Sequence, residues 1–272
     1  MKEMAIAKIR ERARNKWRKS GSDLNNVMAS GVLLDPSALT LGFARRFASY
    51  KRPTLLLQDM SRLAKIVGDP SRPVQIIFAG KAHQDDQQSK QLLQMVFKAA
   101  KDQSFGGRIA FVEDYDELLA QYLVHGVDVW VNNPQPPMEA SGTSGMKATL
   151  NGVPQLSILD GWWIEGYNGK NGWAVEGAAD GPDRDARDAA AIYDLLEKDI
   201  VPLFYDVDED GVSHGWTAIM KEAIKVAGQG FSARRMAKEY TERFYKQALE
   251  STMKMEREGM REKAKGDIFG GI

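Results

Sequence analysis

The nine residues Glu139-Ala140-Ser141-Gly142-Thr143-Ser144-Gly145-Met146-Lys147 combine backbone freedom, hydroxyl groups and one amine in a single short string. They follow the apolar run Val127-Asp128-Val129-Trp130-Val131. They precede Ala148-Thr149-Leu150-Asn151-Gly152, which reads as a short helix ending on glycine. A small-residue turn from a strand into a helix leaves N–H groups free at the positive end of the helix dipole, and that geometry suits a phosphate. Lys147 falls within the first turns of the helix, so a phosphorylated aldehyde could anchor there and also meet an amine. The combination points to pyridoxal phosphate (PLP). A second segment has the same preference. The strand-like run Leu39-Thr40-Leu41-Gly42-Phe43-Ala44 leads into Arg45, Arg46, Lys51 and Arg52, four cations within eight residues, just before Pro53. Arginine offers a planar fork to an oxyanion and lysine a mobile point charge. A solvated basic turn is the plainer reading of such a run, with Phe47 and Tyr50 packed between the charges.

The string EASGTSGMK resembles the PLP-lysine motif of the α-glucan phosphorylases (glycogen, starch and maltodextrin phosphorylases). Its continuation from Asn151 to Gly177 is similar to the shorter bacterial and archaeal branch of that family, and the resemblance runs from about Arg10 to Tyr245. It implies the C-terminal, cofactor-bearing half of a GT-B glycosyltransferase architecture. The implied reaction is reversible, retaining phosphorolysis of terminal α-1,4 bonds in glycogen or maltodextrin, giving glucose 1-phosphate. The implied roles fall residue by residue. Lys147 would hold the cofactor aldehyde, Thr143, Ser144 and Gly145 would cradle its phosphate, and Arg45 would neutralise it. Arg46 and Lys51 would grip the substrate phosphate, with Lys51 also near the cofactor. Glu139, Ser141 and Gly142 would bind hydroxyls of the glucosyl ring, and Tyr115 would line the cofactor pocket. Two adjacent phosphates repel strongly at low dielectric, which explains a cation cluster of this density. Nothing here matches the family's first domain. A truncated gene, a split enzyme with a separate partner chain and an excised domain would all look like this, and the partners to look for are a separate first-domain chain or a second copy in a homo-oligomer. Two other readings stay open: a non-catalytic module that keeps the fold, and a nucleotide-sugar glycosyltransferase domain. The second would need no cofactor lysine.

The elements that must position these residues alternate along the chain. Residues 2–20 read as a basic amphipathic helix stopped at Gly21. Strands are expected at 39–43, 74–79, 108–112, 127–131 and, weakly, 155–159. Helices fall between them at about 55–68, 85–101 and 116–124, with Asp85-Asp86 as a helix cap. That alternation predicts an α/β fold, a Rossmann-like parallel sheet with helices on both faces, whose ligands bind beyond the carboxyl ends of the strands. Residues 160–185 read as a long irregular loop, in which Trp162, Trp163 and Trp173 either stack on sugar or pack beneath the loop. Helices follow at 185–198, 216–226 and 232–265. The domain is placed at 1–250 and a charged, frayed tail at 251–272.

Composition narrows the class. The chain has 272 residues, 43% of them hydrophobic, enough for a buried core, and its 37 cationic and 37 anionic side chains leave no net field to draw nucleic acid or an anionic membrane. The absence of cysteine excludes disulfides and thiolate chemistry. His83, His125 and His214 have no metal-ligand spacing, and the 206–211 acidic run lacks the glutamate of a calcium loop, so no metal site is expected. With neither a signal-peptide core nor a membrane-length apolar run, a cytoplasmic location is expected.

Overall fold

The structure, a computed structural model, describes residues 1–20 and 24–269. Gly21, the expected stop of the first helix, lies outside the described residues. Contacts divide the chain into a first unit, Met1–Ala227, and a second that starts at Gly228.

The first unit is built on six parallel strands: β1 (Leu39–Ala44), β2 (Val74–Ala79), β3 (Ile109–Val112), β4 (Val129–Asn132), β5 (Gln155–Ile158) and β6 (Gly172–Val175). Their order across the sheet is β3-β2-β1-β4-β5-β6. Because side chains alternate along a strand, β1 to β4 each feed two cores. Leu39, Leu41 and Phe43 of β1 join Ile76, Phe78, Val129 and Val131 on one face. That face is covered by Leu63 and Ile66 of the Met60–Gly68 helix, Val96 of Gln87–Ala100 and Ile192 of Arg184–Leu195. Ile77, Ala110 and Trp130 face the other way. They meet Ile6 and Ile9 of the Lys2–Ser20 helix, Leu119 and Leu123 of Glu117–Gly126, and Ala148 of Thr143–Leu150. All strands but the last are buried throughout, which accounts for their continuous apolar runs.

The helix starts follow from side-chain caps. Asp59 accepts from the Arg62 N–H, Asp86 from Ser89 and Asp116 from Leu119. Each cap satisfies a first-turn donor that has no partner within its helix. The helix expected across 55–68 is broken, with a short 3-10 turn at Leu55–Leu57 ahead of the Asp59 cap.

Residues 160–185 are not an irregular loop. They hold the short Trp162–Gly166 helix and the sixth strand. Four residues opening on glycine carry no readable period, and β6 exists because it pairs with β5, Gly172 opposite Gln155 and Val175 opposite Ile158. Gly172 is required by the closeness of that approach, since a Cβ there would press on the backbone of Gln155. Trp162, Trp163 and Trp173 are all buried, so packing accounts for all three. In the second unit, Ser232 caps the Ala233–Tyr240 helix, and a wide turn at Thr241–Tyr245 leads into Lys246–Phe269. The described part of the tail expected to be frayed, 251–269, is helical; its Ala, Met, Glu, Lys and Arg are strong helix formers.

Candidate functional site

Strand order reverses between β1 and β4, and a doubly wound sheet opens a crevice at the carboxyl ends of such a pair. Beyond β1 the backbone stays paired, with the Arg45 N–H donating to the Ala79 carbonyl (3.1 Å) and Phe47 to Lys81 (2.9 Å). Arg45 is thereby fixed at the mouth. Its guanidinium donates to Asn132 Oδ1 and to the Val131 carbonyl (2.7 Å), so it spans the ends of both strands, with the Phe43 ring 4.8 Å away. It is 8% exposed, and no carboxylate among the described residues pairs with it. Burial pushes Arg45 down to about 10, against the weaker opposing charges of Glu139, Tyr115 and Tyr50. Its Nε is buried with no acceptor. A buried cation with a spare donor and no anion is stabilised by an anionic ligand.

Arg46 is exposed and, among the described residues, makes no ion pair or hydrogen bond. Lys51, at the end of the Ser49–Lys51 turn, pairs with Glu139 and lies 4.7 Å from the Tyr50 ring. The partners are 88 residues apart and retain 13% and 6% of their side-chain exposure. Arg52 follows in the left-handed region at φ 43°. Its buried fork donates to the carbonyls of Asn133 (3.0 Å) and Pro134 (2.7 Å) and to the carboxylates of Asp185 (2.9 Å) and Asp188 (2.6 Å). The Gln135 N–H completes the clamp by donating to the Tyr50 carbonyl at 2.7 Å.

This clamp leads the chain into the second motif. Asp160, at the end of β5, accepts from the N–H groups of Glu139 and Gly161, each at 2.9 Å, and Trp162 N–H donates to the Ser141 carbonyl at 2.8 Å. Gly142 then turns the chain at φ 86°, a conformation open to glycine, and caps the Thr143–Leu150 helix. That helix begins at Thr143 and includes Lys147, as the sequence suggests for the lysine. The first-turn N–H groups of Thr143 and Ser144 have no acceptor within it. Thr143 and Lys147 are four residues apart, hence on one helix face, and both are exposed. Burial raises the Tyr115 phenol while the Arg45 charge pulls it back, which puts Tyr115 in the electrostatic reach of that cation. The structure thus ties Lys51 to Glu139, Glu139 to Asp160, and the Trp162 N–H to the Ser141 carbonyl ahead of the turn, while Arg45 is held separately by Asn132 and Val131. Arg46 and Lys147 stand in solvent beside these residues in sequence, outside the bonded set.

A family model described as carbohydrate phosphorylase matches residues 3–169. The chain belongs to that family. A glycogen phosphorylase of Aquifex aeolicus is 58% identical over 248 residues, covering 91% of this chain and 36% of the relative. A maltodextrin phosphorylase of Thermococcus litoralis is 48% identical over 231 residues, covering 84% and 27%. The chain therefore spans about a third of the length of these relatives. Among solved structures, the crystal structure of Anabaena Alr3699/HepE in complex with UDP matches with a TM-score of 0.53 at 16% identity, over 85% of this chain and 52% of that one. That similarity is one of fold: a Rossmann-like sheet, as expected of one half of a GT-B architecture.

Within this phosphorylase chain, sequence reasoning missed Asn132, Asp160 and the anchoring part played by Arg52. Asn132 and Asp160 were open to discovery, because each is a polar residue directly after an apolar strand, where α/β ligand sites gather. Arg52 had no such signal, since its partners at 133, 134, 185 and 188 are remote in sequence.

Proposed function

We propose that this chain is the cofactor-bearing half of an α-glucan phosphorylase, serving phosphorolysis of terminal α-1,4 bonds in glycogen or maltodextrin to glucose 1-phosphate with retained configuration. The observation that carries the reading is the Lys51–Glu139 contact, which ties the cationic segment to the small-residue turn at the switch point of the sheet. The residues fit PLP on their own chemistry. A buried, carboxylate-free Arg45 with an unused Nε and two free first-turn N–H groups suit its phosphate. Lys147, four residues or about 6 Å along the helix axis from Thr143, suits its aldehyde. Bound there, the cofactor would supply a phosphate able to exchange protons with a neighbouring substrate phosphate.

The chain's own residues do the rest. Thr143, Ser144 and Gly145 hold the cofactor phosphate, and Arg45 neutralises it from the strand mouth. Arg46, free of partners, and Lys51 take the substrate phosphate. That task draws Lys51 from Glu139 and frees the carboxylate for ring hydroxyls, alongside Ser141 and Gly142. Glucan cleavage needs groups from the remaining length that the relatives possess, carried by another chain or a further segment. No described helix is long and apolar enough to cross a membrane, and a cytoplasmic setting fits a glycogen substrate.

The test is incubation of the protein with PLP, borohydride reduction and peptide mapping by mass spectrometry. A stoichiometric pyridoxyl group on Lys147 is expected. Labelling scattered over surface lysines would sink the reading.

A further inference from the structure

We infer that Gln155 is a positioning residue for the phosphate-cradling turn, with Gly145 its matched partner; the inference rests on the function just proposed. Gly145 is the third residue of the Thr143–Leu150 helix, and its φ is not positive, so the backbone does not require glycine there. Glycine at such a position is less favourable than alanine. The reason for it is space. A Cβ on Gly145 would fall inside the van der Waals shell of Gln155 Oε1, 3.0 Å from Gln155 Cδ and 2.9 Å from Trp162 Nε1. Gln155 is fully buried at the head of β5, and its Oε1 accepts from Trp162 Nε1 at 3.3 Å. Trp162 in turn donates its own N–H to the Ser141 carbonyl, just before the turn. One carboxamide therefore wedges the first turn of the helix against the segment that holds its approach. The Nε2 of Gln155 is buried without an acceptor, so half of that carboxamide is left for a bound acceptor group. A leucine or methionine would have filled the volume without leaving a buried donor unsatisfied. The polar choice makes sense if the wedge must both hold Trp162 and present a donor beneath the cradle.

The test compares the full chain with Gln155→Ala, Gly145→Ala and the double variant. PLP and pyridoxal, which lacks the phosphate, are titrated by absorbance, and thermal unfolding is followed by circular dichroism. Gln155→Ala is expected to weaken PLP about tenfold and pyridoxal less than about twofold. Gly145→Ala should destabilise the wild-type background, yet cost clearly less once Gln155 is alanine, because the carboxamide contact is then gone and only Trp162 Nε1 still has to shift. Should Gly145→Ala fail to fold alone, its recovery in the double variant supports the match. Equal losses for PLP and pyridoxal, or additive destabilisation in the double variant, would overturn the inference. A wild-type chain that shows no preference for PLP over pyridoxal overturns the functional reading and this inference with it. Wild-type binding left unchanged in Gln155→Ala overturns this inference alone.

Discussion

A guanidinium held out of water with no carboxylate bonded to it is poorly compensated, and Arg45 is in that state, with Glu139 acting on it only at a distance. Its two carbonyl-type acceptors orient the fork without neutralising it. Lys51 is in the opposite state, because Glu139 neutralises it inside the protein. Removing one member of a buried pair strands the other, whereas removing both does not. Lys51→Ala is therefore expected to lower unfolding free energy by about 3 kcal/mol in urea titrations. The double change Lys51→Ala/Glu139→Gln should recover most of that loss. If both proteins are equally destabilised, the pair is not acting as a compensated unit. Arg45→Met is expected to lose phosphate-dependent binding while holding or gaining stability, since it removes an uncompensated buried charge.

At the scale of elements, the site hangs on clamps between segments far apart in sequence. Arg52 ties the loop after β4 to the start of the Arg184–Leu195 helix, and Asp188 is almost fully buried beneath it. Arg52→Ala should cost about 3 kcal/mol or more, because it leaves that carboxylate unpaired along with two carbonyls. A loss under about 1 kcal/mol by urea titration would show that water replaces the clamp. The helix caps set the response to acid. Hydrogen bonds from first-turn N–H groups and serine hydroxyls hold Asp86 and Asp102 below the usual carboxylate range, and the Leu119 N–H with Arg12 does so for Asp116. A depressed folded value adds stability at pH above the unfolded value, about 3.9, and that stability is lost as pH falls through the folded value. Asp128 has the opposite sign. Burial raises it against the pull of Lys2, so its contribution is present at low pH and lost as pH rises through its folded value. The caps outnumber it. Thermal midpoints should be flat from about pH 7 to 5 and fall below about pH 4, and a midpoint rising on acidification would contradict the assignment.

For the whole molecule, both hydrophobic clusters lie inside Met1–Ala227, and so do all six strands. A unit with its own core can fold alone. A chain ending at Ala227 is expected to unfold in one cooperative transition and to retain any borohydride-trapped PLP on Lys147. Loss of the near-ultraviolet tryptophan signal in that shortened chain would show that the core depends on residues beyond it.

Local pattern alone determined a great deal here. Continuous apolar runs bounded by turn residues announced five of the six strands, the Asp85-Asp86 pair marked one helix start, and the β-α alternation implied the parallel sheet. The two motifs from which phosphate binding is proposed were visible as well, because small residues and clustered cations stand out without reference to neighbours. Tertiary structure alone decided what depends on partners. Strand β6 exists through its pairing with β5, the three tryptophans became core because helix and sheet close over them, and Arg52 became a clamp through acceptors more than 80 residues away. The same holds for Gly145, whose missing side chain is explained by the Gln155 carboxamide and the Trp162 indole that the fold packs against it. A residue's own chemistry is written in its type. Whether that chemistry is neutralised, exposed or used as a wedge is settled by which atoms the fold brings against it.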